Sequence, residues 1–187
     1  NTVKALISEL QSDPDFINAL NILNGRERQY QIESDEDGLL TFQLNLTRVA
    51  NALVSPSVFS RKRDQYEKML TQKTIDAAEV REFRILLAIR QWFESFIGGL
   101  EQVEILLKSR IIGREEAEPY IKHWIQCISD ANYPYGLPSA ENDRLQSYIL
   151  SYRPTLSSFF ERFGYLIQSS SLEDKVAVML ETDKSRV

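Results

Sequence analysis

Cysteine and histidine each occur once in 187 residues, as Cys127 and His123, and that scarcity removes whole classes of chemistry. One thiol forms no internal disulfide and no zinc site built from paired cysteines. One imidazole cannot furnish the two Glu-x-x-His pairs of a di-metal carboxylate bundle, and Tyr120, not an acid, stands three residues before His123. The seven glycines assemble into no phosphate-cradling loop, and there is no G-x-S-x-G elbow. No apolar run approaches the ~18 residues of a membrane span, and no signal-peptide pattern opens the chain. No sign of charge dominates: 22 Lys and Arg face 27 Asp and Glu, a net −5. That balance argues against a nucleic-acid-coating surface while leaving room for a local basic patch.

What is present reads as a folded, helical chain. Hydrophobic residues make up 43% and charged ones 26%, enough for a single domain over 1–187 to bury its own core. The organising stretch runs from Glu79 to Arg110. There Leu86, Ile89, Phe93, Phe96, Leu100, Val103 and Leu107 alternate spacings of three and four, with Ile85, Trp92, Gly99 and Leu106 beside them. That periodicity predicts one long helix with an apolar stripe, Trp92 included in the core. Gly98-Gly99 weakens or bends it without breaking register, and Gly99 admits a close neighbour. Arg90–Glu94 and Glu104–Lys108 are opposite charges at spacing four, which predicts a wetted back face. Thr74 caps the start, with Asp76 and Glu79 near the positive end, and Gly113 ends the helix.

Before it, Val3, Leu6, Ile7 and Leu10 form a short apolar face, and Asp13-Pro14 caps a second helix that Asn24-Gly25 closes. The polar segment 25–38, with the acidic run Glu33 to Asp37, is expected to be a mobile loop. Leu39, Phe42, Leu46, Val49 and Leu53 resume helical spacing, although Thr41 to Asn45 also alternates as a strand would. Ser55-Pro56 starts a charged helix with a thin apolar stripe through Tyr66, Met69 and Leu70. After the central helix, Tyr120, Trp124, Cys127 and Ile128 give the next helix its inner face. Two prolines and a glycine mark Tyr133–Pro138 as a loop. Leu145, Ile149, Tyr152, Leu156, Phe159, Phe163 and Leu166 keep phase through Pro154, which predicts one helix, kinked there. Ser171 and Asp174 suggest a last capped helix through Val176 and Leu180, ahead of a frayed 181–187 tail. The expected fold is all-α: a bundle built on antiparallel helices at about 79–110 and 142–168, with shorter helices before, between and after.

Four stretches are candidates for function. Arg61, Lys62 and Arg63, with Arg81 and Arg84, are a candidate anion contact, but Asp64, Glu67, Asp76, Glu79 and Glu82 among them also suit a solvated face. Glu33, Asp35, Asp37 and Gly38 match the start of a calcium loop, yet the closing glutamate position holds Leu44, so no calcium is expected. His123 and Cys127 stand one helical turn apart and could be base and nucleophile, or simply a packed inner face. Tyr133, Tyr135 and Leu137 sit on the proline-stiffened loop, which reads first as a lid over the bundle end and second as a partner contact. No catalytic set, metal site or cofactor signature is assembled, and none of these groups is expected.

From Phe83 to Trp124 the order of features resembles an uncharacterised bacterial and phage helical family, a domain of unknown function. The matching pieces are Ile85-Leu86 through Trp92-Phe93-Glu94, Gly98, the Leu106–Ile112 segment closing at Gly113, and the Trp124 helix. Ser12-Asp13-Pro14-Asp15-Phe16 is similar to that family's start, while the Glu33–Asp37 run departs from it. The resemblance implies a helical bundle and an upstream membrane anchor, and assigns no site residues. The chain begins at Asn1, where an anchor or targeting segment is expected to precede it. The expected role is a non-catalytic interaction or regulatory module in the cytosol, tethered by that segment, with a protein partner or self-association. The alternatives are a nucleic-acid-linked regulator using the 61–84 basic face and an enzyme centred on His123 and Cys127.

Overall fold

The computed structural model of the protein describes residues 2–25, 28–34, 38–72, 76–130 and 132–168. The expectations for Thr74, the acids Asp35–Asp37, the 171–180 helix and the 181–187 tail lie outside the described residues. Helices α1 (Thr2–Leu10) and α2 (Pro14–Leu23) are followed by strands β1 (Gln29–Ser34) and β2 (Gly38–Gln43). Then come α3 (Leu46–Ala52), α4 (Pro56–Thr71), α5 (Ala77–Lys108), α6 (Arg114–Ser129), α7 (Ser139–Tyr152) and α8 (Leu156–Arg162). The chain is mostly helical, and no helix among the described residues is long and apolar enough to cross a membrane.

Local chemistry sets these boundaries. Asp13 accepts from the Asp15 N–H at 2.9 Å, with Pro14 behind it opening α2. At α5, Asp76 accepts from the Glu79 N–H at 2.8 Å while the Glu79 carboxylate accepts from the Asp76 N–H at 3.4 Å, a reciprocal cap. The helix runs unbroken through both glycines for 32 residues. Its stripe carries the core: Ile85, Ile89, Phe93, Phe96, Leu100 and Val103 are all buried, and so is Trp92. Gly99 is where α2 comes closest. A Cβ built there would lie 2.6 Å from Phe16 and 2.9 Å from Leu10, so the missing side chain is what lets α1 and α2 seat. The Phe16 ring lies 5.2 Å from both Phe96, tilted, and Trp124, edge-on, joining α2, α5 and α6.

The structure departs from the all-α expectation at residues 25–53. Instead of a loop and a helix, Gln29–Ser34 and Gly38–Gln43 pair as antiparallel strands, with Tyr30 opposite Phe42 and Ile32 opposite Leu40. The physical reason is the face it builds. In a helix Leu40 and Phe42 would point roughly 200° apart, whereas in a strand they share one side with Tyr30. That side lies on Trp92, whose ring is 5.1 Å from Tyr30 and 6.2 Å from Phe42. Each fully buried aromatic or leucine there is worth about 2–3 kcal/mol. The helical spacing of Val49 and Leu53 belongs to α3 alone, which Asn45 caps by accepting from the Arg48 N–H at 2.8 Å.

The expected 142–168 helix is two. Arg153 precedes proline and takes an extended conformation (φ −139°, ψ 76°), so α7 ends at Tyr152 and α8 begins at Leu156. The stripe stays in phase because the interruption is about one turn long, and Leu156 and Phe159 remain buried. Nor is this arm antiparallel to α5. Tyr148 bonds Glu94, Arg153 bonds Glu101 and Ser158 bonds Glu104, so the polar links advance in the same direction along both. Gly113 does not end α5, which stops at Lys108. Arg110 then turns the chain at φ 57°, and Gly113 stands at the start of α6, its N–H donating to the Glu116 carboxylate at 2.8 Å.

One member of each ion pair expected on a wetted face of α5 is buried. Arg90 is 7% exposed and Glu104 3%. Arg90 donates to the Ala52 and Val54 carbonyls at 3.1 and 3.0 Å and to Glu94 at 3.1 Å, so its charge is satisfied at the end of α3. Burial, ahead of an opposing pull from Arg90, pushes the Tyr148 phenol far above its ordinary range, and it donates to the same Glu94 at 2.9 Å. Glu104 is met by Lys108 at 3.2 Å, Ser158 at 3.2 Å and Arg162 at 3.5 Å. Arg48 forks onto Glu82 at 2.7 and 2.9 Å, fastening α3 to α5.

Candidate functional site

The loop after α6 is built to stay put. The Tyr133 N–H donates to the Asp130 carbonyl at 2.9 Å, and the Gly136 N–H to the Tyr133 carbonyl at 3.1 Å. A Cβ at Gly136 would sit 3.0 Å from the Cys127 carbonyl, so glycine allows the loop to lie against the last turn of α6. Leu137 is buried, Tyr133 half-buried, and Tyr135 is 61% exposed. Within one loop, Leu137 is packed inward while Tyr135 stands out to solvent.

Beneath it lies a polar cluster. His123 Nδ1 is 2.8 Å from the Tyr133 hydroxyl, and Nε2 is 2.6 Å from Oδ1 of Asn24, the residue that closes α2. Because an amide oxygen only accepts, Nε2 carries the proton and donates it to Asn24. The lone pair is then on Nδ1, where the tyrosine hydroxyl donates. Cys127 Sγ lies 3.7 Å from Nε2, 3.8 Å from Asn24 Oδ1 and 3.9 Å from the Tyr135 carbonyl. The imidazole nitrogen nearer the thiol is thus the one engaged by Asn24 at 2.6 Å. Desolvation in the same pocket pushes the Cys127 pKa from an ordinary 9.0 up to about 12. This is the reverse of what a thiolate nucleophile requires. The cluster fastens the end of α2 to the middle of α6 and the loop that follows it, Asn24 standing 99 positions from His123.

Two consequences are measurable. Native Cys127 is expected to react with a thiol reagent at pH 8 only once the chain unfolds, and labelling of the native protein at a free-cysteine rate would contradict the burial. A thiol pKa raised on folding contributes stability that is complete below the unfolded value of 9.0 and is lost as pH rises toward 12. Denaturant titrations across that window should therefore fall less steeply for Cys127→Ala than for the wild type.

Beside the cluster is a groove of about 310 Å³. One wall is the loop, from Pro134 to Pro138, and the other is the end of α2 with the start of α3. Ile22, Leu44, Val49 and Leu137 make its lining apolar, while Leu46 (43% exposed) and Tyr135 present large side chains to solvent at it. Asn24 belongs to both groove and cluster, which couples the shape of one to the hydrogen bonds of the other.

The basic residues do not form one face. Arg61 and Arg63 on α4 are exposed, and Arg63 lies 3.8 Å from both Asp64 and Glu67. Lys62 lines a groove between α4 and α5 with Glu79 and Glu82. Arg84 lines a different groove, on the β1 side of α5, with Asp15 and Glu33, and Arg81 is exposed. Of the calcium-like run, Glu33 stands on β1, and Asp35 and Asp37 lie outside the described residues. No group of three or more candidate metal-binding side chains occurs among the described residues.

Sequence reasoning found the loop and the His123–Cys127 pair. It missed Asn24, Leu46 and Val49, which reach the site from about 90 positions upstream. Asn24 was visible only as a helix stop. Comparison with family models, curated proteins and solved structures finds no match to this chain.

Proposed function

We propose that this chain is a non-catalytic interaction module, which holds a short apolar segment of a partner protein in the groove between the Tyr133–Pro138 loop and α3. The observation that carries the reading is the groove itself. It is an apolar trough with Leu46 and Tyr135 exposed at it, one wall held by the Tyr133–His123–Asn24 hydrogen bonds. A site fixed before binding loses little conformational entropy on docking, and tyrosine gives much contact area for few rotatable bonds. The protonated, buried thiol beside it supports binding over catalysis. A reducing compartment, the cytosol, is the proposed setting for a chain whose one cysteine is free.

The test is an unbiased peptide-display selection against the chain. The expected winners carry one or two large apolar side chains. They should lose roughly tenfold or more in affinity, about 1.4 kcal/mol, against Tyr135→Ala and against Leu46→Asp. Both replaced side chains are exposed, so thermal stability should change little. Selected peptides indifferent to both substitutions, or no peptides at all, would overturn the assignment. Retention of duplex nucleic acid in a salt-dependent way would favour a regulator acting through the α4 cations instead.

A further inference from the structure

The hairpin has two outer strand edges, and the one on β1 borders a groove. The Leu44 N–H donates to the Arg28 carbonyl at 3.3 Å, continuing the register that pairs Tyr30 with Phe42 and Ile32 with Leu40. Those even-numbered residues of β1 spend their backbone groups on β2. The N–H and C=O of Gln31 and Glu33 point the other way, and no backbone hydrogen bond among the described residues uses them. On the far edge of β2, Leu39 and Thr41 likewise take part in no backbone hydrogen bond among the described residues. There the Gln43 carbonyl accepts from the Arg48 guanidinium, and the chain turns directly into α3. Of the two edges, β1's is the one that a groove borders.

That edge borders a groove of about 570 Å³, closed on the opposite side by α2 and α5. A strand added beside β1 would lie about 4.8 Å from it. Its inward side chains would fall toward Leu87, Ala88 and Trp92, apolar groups lining the groove, of which Leu87 is 38% exposed. Its outward side chains would neighbour Gln31 and Glu33. Asp15 and Glu33 line the groove, and Arg84 is its one cation among the described lining residues. An open edge, an apolar floor and an acidic surround together specify an occupant.

We infer that the β1 edge takes up an extended segment of a partner protein in which apolar residues alternate with lysine or arginine, adding a third strand to the hairpin. Backbone pairing to Gln31 and Glu33 supplies affinity, the apolar positions fill the groove, and a cation beside Glu33 fixes the register. This site shares no residue with the Tyr135 groove and does not depend on its occupancy.

The probe is a fluorescein-labelled Lys-Val-Lys-Val-Lys-Val peptide, compared with Lys-Lys-Lys-Val-Val-Val, in anisotropy titrations at low salt. The alternating peptide should bind roughly tenfold or more tightly, because only it presents one apolar face as a strand. Amide exchange of Gln31 and Glu33 should slow on binding. Glu33→Lys should weaken binding several-fold, with the difference shrinking as salt rises. Gln31→Pro, which removes an outward N–H and no ladder bond, should weaken it further. Glu33→Lys carries the test if that proline variant is unstable. Tyr135→Ala should leave this titration unchanged. Absence of binding at low salt, equal binding of the two peptides, or binding without protection of the two amides would overturn the assignment.

Discussion

Replacing Arg90 by alanine should lower the unfolding free energy by about 3–5 kcal/mol, the range for removing one partner of a buried charge pair. In a chain of this length that is roughly a 10 °C fall in Tm. The reason lies in what is left behind. The Ala52 and Val54 carbonyls at the end of α3 lose their donor, and Glu94 loses its cation while Tyr148 still points at it. The guanidinium is also packed 4.2 Å over the Phe59 ring and 4.8 Å from that of Tyr148, so a cavity opens between α4 and α7. Lysine keeps the charge but not the fork, and should recover less than half of the loss. Urea titrations would show it as a shifted midpoint at unchanged slope. A change below about 1 kcal/mol would mean that Arg90 is not the pin that joins α3, α4, α5 and α7.

The two neighbouring glycines of α5 should respond with opposite signs. Gly99→Val is expected to destabilise by about 2–3 kcal/mol, because its Cβ would meet the Phe16 ring at 2.6 Å. That ring has little freedom to yield, being fully buried between Phe96 and Trp124. Gly98→Ala meets no atom within 4 Å and should raise stability by up to about 1 kcal/mol through helix propensity alone. Thermal melts of the pair check both at once. If Gly99→Val were tolerated, α1 and α2 would have to be able to lift from α5.

Much of this was written in apolar spacing. The α5 stripe, the Asp13-Pro14 start of α2 and the close approach at Gly99 were all legible, because each depends on neighbours within a turn or two of helix. The hairpin was not. Its evidence is the pairing of Tyr30 with Phe42 and Ile32 with Leu40, and Leu39 beside Leu40 blurred the alternation that would have announced it. The break at Pro154 was hidden by a gap of one turn, which leaves the stripe in phase. Arg90 and Glu94 looked like a surface pair because spacing four is the same on a wet face and a dry one. At the candidate site, the tyrosines and prolines of one wall were conspicuous. The opposite wall comes from α2 and α3 and is assembled only in three dimensions.

Helix α4 has only Val58 and Phe59 buried among its 16 residues, with Tyr66 stacked 4.1 Å on Phe83 further along. So little buried surface sets a low free energy for local opening, well beneath that of the whole molecule. The amides beyond Phe59 should then exchange with solvent through excursions in which the core stays intact. During each excursion Arg61-Lys62-Arg63 becomes an unwound tribasic segment, and the flank of α5 around Phe83 and Leu86 is laid bare. The surface this protein offers its surroundings is therefore time-dependent. In that opened form Phe83 and Leu86, half-buried otherwise, should be exposed.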